Sequence, residues 1–138
     1  MNRVAVGVTL VLLSLAAVHV YWAARGVGTT AGIPSRADGT PVFRPGRVAT
    51  LGVAVALGLA ALLVMGRAQL LDFGLPPLLL RVGTWGVAVA FAARTIGEFR
   101  YVGVFKRVRG TPFARWDSRL FTPLCAAIAI ATVVVARS

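Results

Sequence analysis

Four long apolar runs, Val4–Ala24, Val48–Met65, Leu78–Ile96 and Leu120–Ala136, dominate the chain, and turn residues and most of the charge are confined to the gaps between them. A hydrocarbon core about 30 Å thick is crossed by about 20 helical residues, with a working range of roughly 17–25. Each run can therefore span a bilayer once. Arg81 and Arg94 fall inside the third run but near its ends, where a long side chain can reach the headgroups. In lipid only helices and closed barrels satisfy their own backbone groups. Barrel strands alternate in polarity over about 10 residues, and a stretch such as "VALGLAALLVM" at 55–65 shows no alternation. The expectation is an all-α protein, a four-transmembrane-helix bundle forming one membrane domain over 1–138.

Composition agrees. Of 138 residues 58% are hydrophobic and only 14% charged, where soluble domains carry about 25% charge, so the chain cannot cover a globular surface in water. Its single cysteine, Cys125, excludes an internal disulfide and a zinc site built on cysteine pairs. In an apolar helix it is expected to be a packed side chain of little reactivity. The first run exceeds the usual apolar core of a secretory signal, about 7–15 residues, and "HVYWAARG" offers no small-residue cleavage site after it. It reads as a permanent helix.

Basic residues decide the expected orientation. Arg3, Arg67, Arg81 and Arg137 lie on the side of the termini and the second gap. The other eleven of the fifteen lie on the side of the first and third gaps, from Arg25 to Arg47 and from Arg94 to Arg119. The positive-inside rule places gaps 25–47 and 97–119 in the cytoplasm and both termini outside. A net charge of +11 also suits anionic phospholipid at juxtamembrane loops. Nucleic acid is not an expected partner.

The two basic gaps differ in character. Residues 25–47 hold Pro34, Pro41, Pro45 and five glycines without periodicity, which predicts an irregular loop. Residues 99–119 interleave Phe99, Tyr101, Phe105, Phe113 and Trp116 with six cations, a mixture that favours the headgroup layer. The expectation is a surface segment broken into two pieces at Gly110 and Pro112. Thr122 and Pro123 have the form of an N-cap and first helical residue, so the fourth helix is expected to become regular there; a kinked helix from near Asp117 is the competing reading. Small residues at Gly83, Gly86, Ala90, Ala93 and Gly97, and at Gly52, Ala56 and Ala60, draw stripes that permit close helix approach, within the bundle or in a homo-oligomer.

Polar groups at membrane depth are few and gather at one end. His19 is near the end of the first helix, and Arg94 and Glu98 near the end of the third. Ionisable residues in a span are costly unless paired, so they are functional candidates by default. Arg94 and Glu98 are four apart and are expected to pair along the helix. The functional reading is that His19, Tyr21, Arg94, Glu98 and Asp117 converge on a pocket at the inner leaflet. The bland reading for His19 and Trp22 is an interfacial aromatic belt. His19 and Glu98 are the residues able to handle a proton. No metal-ligand spacing, phosphate-binding glycine loop or nucleophile elbow is present, so no metal or cofactor is expected.

Two stretches, "HVYWAARG" at 19–26 and "RTIGEFRYVGVFKRVRGTPFARWDSRLFTPLC" at 94–125, resemble a family of small bacterial four-helix membrane proteins known as a domain of unknown function. The resemblance singles out His19, Tyr21 and Trp22, then Arg94, Glu98, Arg100, Tyr101, Lys106 and Asp117, with Gly97, Gly103, Thr111, Pro123 and Cys125 among the positions between and after them. The glycine pair after the Tyr-Trp element stands here as Gly26 and Gly28, split by Val27. The resemblance implies a four-helix fold in a bacterial inner membrane and no mechanism. Three function classes remain: non-catalytic binding of a lipid or small molecule, or an accessory role, at the inner leaflet; a small enzyme on a lipid-like substrate using His19 and Glu98; and an oligomeric exporter. The last fits least, because exporters place their acid near the midplane and Glu98 is at the edge.

Overall fold

The computed structural model describes residues 2–27 and 30–138; Gly28 lies outside them. The elements are α1 (Asn2–Arg25), a short 3-10 turn (Thr30–Gly32), α2 (Arg47–Arg67), α3 (Pro77–Ile96), α4 (Pro112–Trp116), a π turn (Asp117–Phe121) and α5 (Thr122–Arg137). The last three run on as one span, Pro112–Arg137, and all four spans are long and apolar enough to cross a membrane. The fold is all-helical, with no strand among the described residues.

The helices alternate in direction. α1 packs along α2 and α3 along α5, and the two pairs close on each other through α2 against α3 and α1 against α5. Loop 26–46 and the third loop meet at one end, where α4 touches the 3-10 turn. Arg67, Arg81 and Arg137 gather at the other end around a shared recess.

Packing runs inside out relative to a soluble protein. The central cluster is built from Ala5, Val8, Leu12, Ala60, Ala61, Val64, Val87, Ile128 and Val135, mostly small side chains that bring backbones close. Larger ones such as Leu10, Val55, Leu59, Leu78, Val89 and Ile130 are more than half exposed. Water would penalise that ring of apolar surface, whereas lipid is as apolar as the side chains, and small interior residues then gain packing. Three span hydroxyls turn to carbonyls one turn back: Thr50 to Gly46, Thr84 to Leu80 and Thr95 to Phe91, at 2.7–2.9 Å. None of these needs water.

The fourth span differs from the sequence expectation. The helix starts at Pro112, ten residues before Thr122, and Thr111 is its N-cap, its hydroxyl accepting the Ala114 N–H at 3.1 Å. Gly110 and Pro112 do mark a break, but the piece beyond it is already the fourth helix. Pro123 lies inside the span, where its missing N–H and its ring would disrupt an α-helix. The π turn just before it absorbs the conflict by widening one turn, so that the Thr122 N–H reaches the Asp117 carbonyl five residues back.

The glycines of the small-residue stripes split in use. A Cβ on Gly83 would sit 2.7 Å from the Leu63 side chain of α2, whereas at Gly52 and Gly86 it would meet nothing within 4 Å. Gly83→Val is expected to lower thermal stability in detergent by about 1–3 kcal/mol through overpacking, while Gly52→Val stays within about 0.5 kcal/mol of the parent. Equal losses at both positions would show that α2 and α3 are not apposed at Gly83.

Candidate functional site

Asp117 is fully buried and is the acceptor for four donors. Its Oδ1 accepts from Arg94 Nη2 at 2.6 Å. Its Oδ2 accepts from the Gly103 N–H at 3.0 Å, Lys106 Nζ at 3.0 Å and the Thr122 hydroxyl at 3.1 Å. The π turn makes the last bond possible, because residues five apart do not share a face on an α-helix. Lys106 is as deeply buried, with its side chain 1% exposed, and a second bond from Nζ to the Gly103 carbonyl at 3.0 Å holds it. A buried charge is tolerable only when paired and hydrogen-bonded. Here both members of the pair are.

The third loop is shaped to deliver those groups. Gly97 ends α3 at φ 81° and Gly103 stands at φ 90°, and a Cβ on either would overlap backbone of the other's segment, at the Val102 and Ile96 carbonyls respectively. Two chain segments touch there at van der Waals distance, which only glycines allow. Glu98 accepts from the Tyr101 N–H and, at 3.0 Å, from the Val102 N–H. The Val104 N–H returns to the Thr95 carbonyl at 2.9 Å, and both the Arg107 and Val108 N–H groups reach the Arg100 carbonyl.

This corrects the expected Arg94–Glu98 pair. The helix stops at Ile96, so the two are no longer one helical turn apart; Arg94 pairs with Asp117 and Glu98 organises the loop. Arg100 and Tyr101 stay in that loop, the guanidinium 5.1 Å from the ring centre. Tyr21 is 61% exposed and lines neither of the two pockets at this end.

What does converge is His19, Trp22 and Arg94. They line a pocket of about 380 Å³ between the spans, together with Leu15 and Val18 of α1, Val53 and Leu57 of α2, Ala90 and Phe91 of α3, and Phe113, Phe121, Leu124 and Cys125 of the fourth span. A second pocket of about 320 Å³, under Phe43, Arg44 and Pro45 of the first loop, shares His19, Trp22, Gly32 and Val53 as its wall. The His19 and Trp22 rings meet edge to face at 5.2 Å. His19 Nδ1 lies 2.7 Å from the Leu15 carbonyl and can only donate to it, which leaves Nε2 as the ring's other polar atom. Arg94 has one nitrogen on Asp117, while its Nη1 is buried without a partner. The walls are otherwise apolar. Such a site, an apolar cavity with a few convergent polar groups, is the usual form of a small-molecule pocket.

Lys106, Gly103 and Thr122 are the members of the cluster that residue pattern alone did not bring to Asp117; Lys106 sits among headgroup-type cations and aromatics. Among the described residues no three His, Cys, Asp or Glu side chains gather to hold a metal ion.

Removing the Asp117 charge leaves Lys106 buried without a counter-charge, with the partly exposed Arg94 beside it. Asp117→Asn is therefore expected to destabilise by about 3–5 kcal/mol, and Glu98→Gln by about 1 kcal/mol. Adding Lys106→Met to Asp117→Asn should recover a large part of the loss. Denaturant unfolding in micelles reads all three, and an Asp117→Asn cost no larger than that of Glu98→Gln would remove Asp117 from the centre of the cluster.

No curated protein and no solved structure matches the chain. The sequence pattern of DUF3995, described as a protein of unknown function, matches residues 12–132. With that match covering nearly the whole bundle and both characteristic stretches, the chain belongs to the DUF3995 family.

Proposed function

We propose that the protein is a multi-pass protein of the bacterial inner membrane that holds an amphiphile, without turnover, in the pocket between its spans. The observation that carries this reading is the pairing of apolar walls from every span with two polar side chains, His19 and Arg94, at the loop-bearing end. A lipid-like molecule would lay its chain against Leu15, Leu57, Phe91 and Leu124 and present its polar head to Arg94 and His19. Chain burial at about 25 cal/mol per Å² supplies affinity, and the two polar side chains supply orientation.

Binding fits better than turnover. Proton-transfer chemistry would need a base and an acid at one site, and Glu98 is committed to loop amides outside the pocket. The charge distribution supports an orientation with the first and third loops in the cytoplasm and both termini outside. Arg44, Arg107, Arg109, Arg115 and Arg119 are exposed around that end, suited to anionic phospholipid.

Two measurements test this. Native mass spectrometry of protein released from nanodiscs is expected to show a discrete adduct on the parent, lost in Ala90→Phe, which fills the pocket from a position that makes no hydrogen bond to the Asp117 cluster; an adduct-free parent, or an adduct that survives Ala90→Phe, counts against the pocket. In a Cys125→Ala background, Arg109→Cys should react with an impermeant thiol reagent only in inside-out vesicles. Labelling of right-side-out cells would reverse the orientation.

A further inference from the structure

We infer that the head-group end of this pocket is built for one negative charge, and that its ligand is a single-chain amphiphile ending in a carboxylate. This rests on the pocket being the binding site, as proposed, and adds the chemistry of the head.

The charges at this end of the bundle do not balance. Arg94 and Lys106 both bond to one carboxylate, that of Asp117. Two cations and one anion leave a surplus of one positive charge beside a carboxylate that is itself fully buried. Lys106 cannot express it outward, because its Nζ is enclosed between Asp117 and the Gly103 carbonyl. The surplus therefore falls to Arg94, whose side chain is one-third exposed and borders the pocket. Its Nη1 is buried with no partner, and a buried guanidinium N–H without an acceptor is costly.

No other acid of the chain can answer it. The sequence has four acidic residues in all. Asp38 is occupied by Thr40 in the first loop, at 2.9 Å to its N–H and 2.6 Å to its hydroxyl. Asp72 accepts the Gly74 N–H at 2.8 Å in the second loop, at the opposite end of the bundle. Glu98 caps Tyr101 and Val102. The missing counter-charge has to come from outside the chain.

The surplus is cancelled only by an ionised head, which accepts from Arg94. His19, whose Nδ1–H goes to the Leu15 carbonyl, adds a polar ring edge to the same wall. A phosphate monoester carries about −1.5 to −2 charges near neutrality and would overshoot the surplus. A fatty alcohol would leave it unanswered. The cavity of about 380 Å³ lies at the lower end of the roughly 300–1,000 Å³ of small-molecule sites, which favours one chain over two.

The test titrates delipidated protein in non-ionic micelles with palmitate, hexadecanol and phosphatidylglycerol, read by native mass spectrometry. Palmitate is expected to bind at least about tenfold more tightly than hexadecanol, the scale of one charge-assisted hydrogen bond. Arg94→Gln should erase that preference, read as the ratio of the two affinities on the same variant, and Arg94→Lys should retain most of it. Ala90→Phe should abolish binding of both. Equal affinity for palmitate and hexadecanol on the parent overturns the charge assignment and leaves the pocket standing; this comparison needs no variant to fold. Phosphatidylglycerol binding more tightly than palmitate overturns the single-chain carboxylate. Failure of all three ligands overturns the pocket as well.

Discussion

One carboxylate ties together the end of this bundle where every polar group of interest lies. An ionised Asp117 removed from water is tolerable only because α3, the third loop and the fourth span each supply it with donors: Arg94, then Gly103 and Lys106, then Thr122. The relation is mutual. Lys106 can be interior only because the carboxylate is there, and the loop can fold back over α3 only because Gly97 and Gly103 let two backbones touch. The wall of the pocket is a by-product of this knot, since it fixes where the Arg94 side chain lies along it.

The rest of the molecule is organised by a different rule. Between helices in lipid there is little hydrophobic gain, so close approach of small side chains takes over. Alanine and valine accordingly make up most of the centre, while most of the leucines and many valines line the outside. A cavity among the spans is notable against that background, because dense packing of small residues tends to leave none. Here the aromatic rings of Trp22, Phe91, Phe113 and Phe121 frame it, holding helices apart at the one end where the chain also concentrates its polar atoms.

The spans were legible in the sequence because crossing a bilayer is a matter of length and polarity, which a run of residues displays directly. The site was legible only in part. His19 and Arg94 announced themselves as ionisable groups in apolar surroundings. The Arg94–Glu98 pairing failed because it assumed a helix through Gly97, and that glycine turns the chain away before Glu98. Two Thr-Pro pairs, at 111–112 and 122–123, carry the same local signal for a helix start. The chain uses the first as a cap and sends the second threonine's hydroxyl to Asp117. Nothing within ten residues distinguishes them; the deciding partner arrives from another segment. Lys106 was hidden for the same reason, since a lysine among arginines and aromatics looks like a headgroup cation until a buried carboxylate is found beside it.

Pro123 also has a bearing on how the two halves of the fourth span are registered. An unbroken α-helix from Pro112 would carry Thr122 off the face on which Asp117 lies. The proline cannot donate into such a ladder, and the widened turn before it passes the Thr122 N–H to the Asp117 carbonyl instead. The proline thus acts as a phase mark on the helix, setting the angle at which the apolar residues after it follow the polar cluster.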